Sequence, residues 1–212
     1  MDCAEEPQPD ASPAGPDRHV ELLYRGIQPY TLIDFQKFNV IYRLLQQCRS
    51  LPGDIGELGV YRGGISAALA LAAPEKRLHL FDTFTGLRQA KTPGEPHRAG
   101  DFADTSLPDV LSLLPAGHPV TVHAGWFPEC VTEELRGTTF AFLHIDGDYY
   151  ESTRDALDFF YPSLSPGGVL VFDDWEWEGC PGVKRALLEG HERFGYRIET
   201  AAPLQAYVRK PG

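Results

Sequence analysis

Apolar positions follow two different rhythms, and the chain alternates between them. Between Tyr30 and Cys48 the residues Phe35, Phe38, Ile41, Tyr42 and Leu45 recur at the spacing of one helix face. Asp34 stands where a helix cap belongs, and Pro52-Gly53 stops the run. Beyond that point short apolar runs alternate with longer amphipathic ones. The runs predict strands over 54–58, 77–81, 120–124, 140–145 and 168–172, with two closing strands near 197–200 and 205–208. The amphipathic stretches predict helices over 65–73, 151–161 and 183–194. Strands alternating with helices of this length imply an α/β fold with a parallel sheet covered on both faces. Such sheets bind ligands at the C-terminal ends of their strands, which places the chemistry just after Leu58, Phe81, Ala124, Ile145 and Phe172.

Two stretches fall outside this alternation. Residues 1–18 carry Pro7, Pro9, Pro13 and Pro16 among scattered acids, without a period. They are expected to form a disordered tail ahead of a single domain over 19–212. Residues 84–119 are rich in proline, glycine and charge, with one short helix expected near 109–114. A loop of this length is either a lid over the site or a plain surface insertion.

Charge and cysteine content narrow the classes. The 19 Lys and Arg against 30 Asp and Glu leave a net charge of −11, which repels phosphate backbones and excludes nucleic acid as an expected partner. No apolar run approaches the roughly 18 residues of a membrane span, and no basic start precedes an apolar core, so neither a membrane nor export is expected. Cys3, Cys48, Cys130 and Cys180 lie far apart with no C-x-x-C pair. That spacing argues against zinc motifs and redox dithiols, and for the reducing cytoplasm.

The strand ends carry the candidate chemistry. After the first strand comes Glu57-Leu58-Gly59-Val60-Tyr61-Arg62-Gly63-Gly64. Glycine there lets the backbone turn sharply toward a ligand. A dinucleotide fingerprint has glycine where Tyr61 stands, so the bulky side chain argues against a pyrophosphate and leaves a phosphate-free nucleoside, or a plain tight turn. Asp82 ends the second strand and can accept hydrogen bonds from both ribose hydroxyls, or serve as an ordinary loop acid. Gly125-Trp126-Phe127-Pro128 follows the third strand, where its aromatics either stack on an adenine or join the core. Asp146 and Asp148 end the fourth strand, and Asp173 and Asp174 the fifth. If those strands adjoin, the carboxylates repel one another, and a hard divalent cation resolves the conflict, Mg²⁺ best of all. Asp148-Tyr149-Tyr150-Glu151 has the form of a helix-capping box, which leaves Asp146, Asp173 and Asp174 as the expected ligands. His144 shares a strand face with Asp146 and is either a packed core histidine or a base, and Tyr149 lies close enough to touch substrate.

Taken together, these segments resemble the TylF/MycF (macrocin O-methyltransferase-like) family. The resemblance runs from about Tyr30 to Phe194 through Pro52–Gly64, Phe81-Asp-Thr-Phe-Thr-Gly-Leu87, Gly125–Pro128, Asp146–Thr153 and Tyr161–Gly168, ending at Asp173-Asp174. The segment 89–98 has no counterpart in the family pattern. The resemblance implies a Rossmann-like class I methyltransferase fold, with a seven-stranded, mostly parallel sheet whose last strand is antiparallel. It implies that S-adenosylmethionine (SAM) is surrounded by Glu57, Gly59, Val60, Tyr61, Arg62, Gly63, Gly64, Ser66, Asp82, Thr83, Gly125, Trp126 and Phe127. It implies Mg²⁺ on Asp146, Asp173 and Asp174, and methyl transfer to a hydroxyl of a small acceptor, a sugar of a glycosylated natural product. Asp146 is then the expected base, with His144 behind it. A phenol or catechol acceptor would use the same chemistry. A metal-dependent glycosyltransferase built on the D-x-D of Asp146-Gly147-Asp148, and a non-catalytic nucleoside-binding module, are the rivals. A homo-oligomer is compatible with the chain.

Overall fold

The computed structural model describes residues 17–212. Seven strands form one sheet: β1 (Asp54–Leu58), β2 (Leu78–Asp82), β3 (Val120–Ala124), β4 (Phe140–Ile145), β5 (Leu164–Asp173), β6 (Ile198–Ala202) and β7 (Gln205–Arg209). Their order across the sheet is β3-β2-β1-β4-β5-β7-β6. The first five pair in parallel, and β7 joins β5 antiparallel through Leu170 opposite Val208. This is the seven-stranded, mostly parallel α/β sheet that the resemblance implies. The strand order reverses between β1 and β4, and the crevice at that switch point is where doubly wound sheets bind ligands.

Seven helices cover the sheet: α1 (Arg18–Ile27), α2 (Phe35–Cys48), α3 (Gly64–Ala72), α4 (Leu107–Leu113), α5 (Glu133–Arg136), α6 (Tyr150–Ser163) and α7 (Pro181–Phe194). Every residue of β4 is buried, as expected of a central strand covered on both sides. Val169 and Val171 of β5 pack with Phe38, Ile41 and Leu45 of α2 on one face. Leu170 and Phe172 pack with Phe160 of α6 and Leu187 of α7 on the other.

Local chemistry explains most boundaries. Asp34 caps α2 as predicted, accepting a hydrogen bond from the Lys37 N–H at 3.0 Å. Two helices escape the sequence pattern. Asp17 and Arg18, expected at the end of the tail, instead cap and open α1, where the Asp17 carboxylate accepts from the His19 N–H. The rest of the expected tail lies outside the described residues. The four-residue α5 is the other.

The capping box expected at Asp148 does not form. Tyr149 occupies the cap position of α6, and no side chain of that turn bonds the helix end. The cap comes from far away, because the Glu95 carboxylate accepts from the Tyr150 N–H at 3.1 Å. The 84–106 segment thus docks on the start of α6. The Thr92 hydroxyl donates to Glu151 at 2.7 Å, and the Tyr149 hydroxyl donates to the Arg88 carbonyl at 3.0 Å.

Candidate active site

A cavity of about 390 Å³ opens at the switch point. Glycine 59 sits at φ +85°, and a side chain there would drive into the backbone of Asp146, whose carbonyl carbon would lie 2.8 Å from the new Cβ. The Asp146 N–H in turn donates to the Leu58 carbonyl at 2.8 Å. The glycine turn and the acid-bearing end of β4 are therefore built against each other. Tyr61 adopts φ +51°, in the left-handed region that few residues other than glycine enter. Its ring leaves the turn and packs edge-on against Phe102, 5.8 Å between centroids, and its hydroxyl donates to Asp104 at 3.1 Å.

Asp82 holds this turn from β2. One carboxylate oxygen accepts from the Val60 and Tyr61 N–H groups at 2.7 and 3.0 Å, and the other from the Phe84 N–H at 2.7 Å. Of the residues expected around the cofactor, Glu57, Gly59, Val60, Tyr61, Asp82, Thr83, Gly125, Trp126 and Phe127 line the cavity. Arg62, Gly63, Gly64 and Ser66 do not. Arg62 turns out to pair with Asp104, and Ser66 is buried beneath the floor with its hydroxyl on Glu57. Trp126 carries the Arg88 guanidinium over its ring at 5.1 Å, so the wall of the cavity is joined to the long loop.

The acids gather at the far end of the same cavity. Oxygens of Asp146, Asp148 and Asp174 lie within 4.8 Å of one another, and a second group joins Asp146 to Asp173 and His144 at the same limit. β4 and β5 adjoin, with Ile145 opposite Phe172, which is what brings these side chains together. Burial and the charges of Asp174, Asp173 and Asp148 hold the Asp146 carboxyl well above the usual carboxylate range. Burial, with Asp174 beside it, pushes Asp148 up to about 8. Asp174 is also raised by burial, against the pull of Lys37. Lys37, on α2, was not anticipated. Its ammonium lies 3.3 Å from Asp173 and 4.0 Å from Asp174, and those carboxylates outweigh its burial and raise its pKa.

His144 is fully enclosed between two carboxylates. Its Nδ1 lies 3.1 Å from Glu57 and its Nε2 2.6 Å from Asp173. Burial alone would discharge the ring, but Asp173 and Glu57 outweigh it and lift its pKa to about 10. A base needs a free nitrogen facing the substrate, and this imidazolium has neither nitrogen free. Asp173 accepts from the Gln205 amide at 3.0 Å on its other oxygen, and burial is outweighed by His144 and Lys37, which lower its pKa. Asp173 is the anchored acid of the cluster, whereas Asp146, Asp148 and Asp174 are the ones left short of positive charge.

The family model of the macrocin O-methyltransferases (TylF) matches residues 25–192. The chain belongs to this O-methyltransferase family. It is 30% identical over 170 residues to a tetracenomycin-sugar 4′-O-methyltransferase of Streptomyces olivaceus, covering 68% of this chain and 60% of the relative's length. It is 30% identical over 197 residues to mycinamicin III 3″-O-methyltransferase of Micromonospora griseorubida, covering 80% of this chain and 73% of that one. Among solved structures, the O-methyltransferase NovP superposes with a TM-score of 0.73 at 26% identity, over 86% of this chain and 83% of that chain. Membership sets aside the glycosyltransferase built on Asp146-Gly147-Asp148. Among the described residues no helix is long and apolar enough to cross a membrane.

Proposed function

We propose that this protein is a SAM- and Mg²⁺-dependent O-methyltransferase whose acceptor is a sugar hydroxyl of a glycosylated natural product. The observation that carries the proposal is one cavity with a glycine turn and Asp82 at one end and a cluster of buried carboxylates at the other. The named activities of the relatives from Streptomyces olivaceus and Micromonospora griseorubida favour a sugar over a phenol as acceptor.

The residues present fit a hard divalent ion. All the free donors are carboxylate oxygens, and burial has left them without enough counter-charge. Asp146, Asp173 and Asp174 are the proposed ligands: Asp146 and Asp174 line the cavity, and Asp146 reaches both Asp174 and Asp173 within 4.8 Å. When bound, the ion lowers the pKa of an acceptor hydroxyl and orients it.

The chain's own residues supply the rest. Glu57 and Asp173 clamp His144, and that clamp holds Asp173 at a fixed depth beneath the cavity. Asp148 is the proposed base in place of Asp146 and His144. It lines the cavity within reach of Asp146 and Asp174, and a divalent ion on those acids would favour its carboxylate form, the form that accepts a proton. Asp82 accepts the ribose hydroxyls while holding the Val60–Tyr61 turn. Trp126 and Phe127 wall the adenine side, and the loop residues Leu87, Arg88 and Phe102 close the cavity against water. A methyl-transfer assay with SAM and a panel of glycosylated and phenolic metabolites tests the proposal. Turnover confined to phenols would overturn the sugar assignment, and no turnover with any hydroxylated acceptor would overturn the whole.

A further inference from the structure

The Lys37 ammonium sits against the two acids that end β5. It lies 3.3 Å from the Asp173 Oδ1 and 4.0 Å from the Asp174 Oδ1. These are not surface pairs, because the side chains of Lys37, Asp173 and Asp174 are only 12%, 1% and 14% exposed. The fold sets the placement. Asp34 caps α2 through the Lys37 N–H, which fixes this residue in the first turn of the helix. Phe38 and Ile41 of α2 are buried with Val169 and Val171 of β5, which lays the helix on that strand. Lys37 also lines the cavity.

The partners of Asp173 show why this ammonium matters to a metal ion. The Oδ2 faces His144 at 2.6 Å, and the Oδ1 accepts from the Gln205 amide at 3.0 Å beside its contact with Lys37. A carboxylate oxygen offers about two lone pairs, so the Oδ1 already has its partners. An ion takes that oxygen only if one of them leaves. Gln205 is fully buried on β7 and stands opposite Asp173 in the strand register, which holds it in place. Lys37 stands on a flexible four-carbon stem at the cavity wall and is the partner free to swing away. The charges point the same way. An ion shared by Asp173 and Asp174 meets an ammonium of like sign, in a buried place where the repulsion is weakly screened.

We propose that Lys37 is a built-in counter-ion of the carboxylate cluster, holding Asp173 and Asp174 in the metal-free chain and competing with the divalent ion for them. The proposal rests on the Mg²⁺ site assigned above and adds to it the residue that sets its affinity. Lys37 is a positioning residue, since it acts through the two acids. In the metal-free chain its charge offsets the repulsion among Asp173, Asp174 and Asp146, which would otherwise loosen the adjoining ends of β4 and β5. The same charge weakens the hold of the cluster on an ion. The chain therefore stays assembled without its metal and exchanges it readily.

Mn²⁺ is the probe, because it is an oxygen-seeking ion like Mg²⁺ and its free form is counted directly by electron paramagnetic resonance. The full chain, freed of metal, is titrated as wild type, Lys37→Met and Lys37→Arg. The expected result is one equivalent bound by each, at least tenfold more tightly by Lys37→Met than by the wild type, with Lys37→Arg close to the wild type because the charge stays. Lys37→Met also unfolds at a lower temperature than the wild type without metal and gains more from Mn²⁺. A merely structural lysine would weaken binding when removed. Equal or weaker binding by Lys37→Met therefore overturns the proposal, and so does binding by Lys37→Arg as tight as that of Lys37→Met. Should Lys37→Met not fold without metal, the wild type decides. Brief acetylation read by mass spectrometry is expected to modify Lys37 faster with saturating Mn²⁺ than without, against the exposed Lys91 as an unchanged reference. Labelling of Lys37 that Mn²⁺ leaves unchanged or slows overturns the proposal equally. Absence of Mn²⁺ binding in all three proteins would instead overturn the metal site on which the proposal rests, so the two failures are distinguishable.

Discussion

The backbone of Asp146 fills the space that a side chain on Gly59 would need. One residue turns the chain under the proposed cofactor and the other bears a proposed metal ligand, so the two halves of the site share a single backbone contact. Gly59→Ala must both leave its φ of +85° and push Asp146 away. The strained conformation alone costs about 1–3 kcal/mol, and the displaced backbone adds to it. Denaturant titration is expected to show at least that loss of stability, and calorimetry a fall in SAM affinity. A variant with native stability and native affinity would show that the contact is not rigid.

His144 gives the fold a pH limit on the alkaline side. Its pKa rises from an ordinary 6.5 to about 10 in the folded chain, between Asp173 and Glu57. A raised folded pKa contributes stability that is complete below the unfolded value and is lost as pH climbs from about 6.5 through 10. The denaturation midpoint is therefore expected to fall across that window in the wild type. His144→Ala, which leaves two buried carboxylates facing each other, is expected to cost about 3–5 kcal/mol at neutral pH and to lack this alkaline limb. An identical limb in the variant would assign it to other groups.

Asp82 has two duties, and one substitution separates them from a mere surface role. Asp82→Ala removes the acceptor of the Val60, Tyr61 and Phe84 N–H groups as well as the proposed partner of the ribose. Calorimetry is expected to show SAM affinity reduced at least tenfold, about 1.4 kcal/mol. Unchanged affinity would move the ribose contact elsewhere.

The α6 cap supplied by Glu95 links the loop to the body of the domain. Glu95→Ala is expected to lower stability by about 1 kcal/mol, the usual cost of a lost cap. It also frees the 84–106 segment, so faster tryptic cleavage at Lys91 and Arg98 is the accompanying result. Unaltered cleavage would show that Thr92 and Tyr149 hold the segment without it.

The central strands were legible because a strand buried on both faces needs an unbroken apolar run, and 140–145 supplies one. The meeting of Asp146 with Asp173 and Asp174 was legible as well, because parallel neighbours end at one sheet edge. What escaped the sequence was decided at long range. Asp148 has the local form of a cap, yet an acid 53 residues earlier takes that duty and leaves it in the cluster. Lys37 lies one turn into a helix whose period says only that it is polar, and nothing local announces that β5 will present acids to it. His144 reads from the sequence as either a packed core histidine or a base, and only the fold supplies the two partners, from β1 and β5, that enclose it. The helix α1 was hidden because only Val20 and Ile27 of its residues are buried, too few to set a period beside a proline-rich stretch.

The most direct test of the account is transfer of labelled methyl from SAM to a glycosylated natural product, with Mg²⁺ present, after exhaustive EDTA, and after Mg²⁺ is returned. Turnover that disappears with the chelator, reappears with the ion, and is absent from Asp174→Ala while SAM still binds is the predicted result. Full activity in EDTA, or in Asp174→Ala, would contradict it.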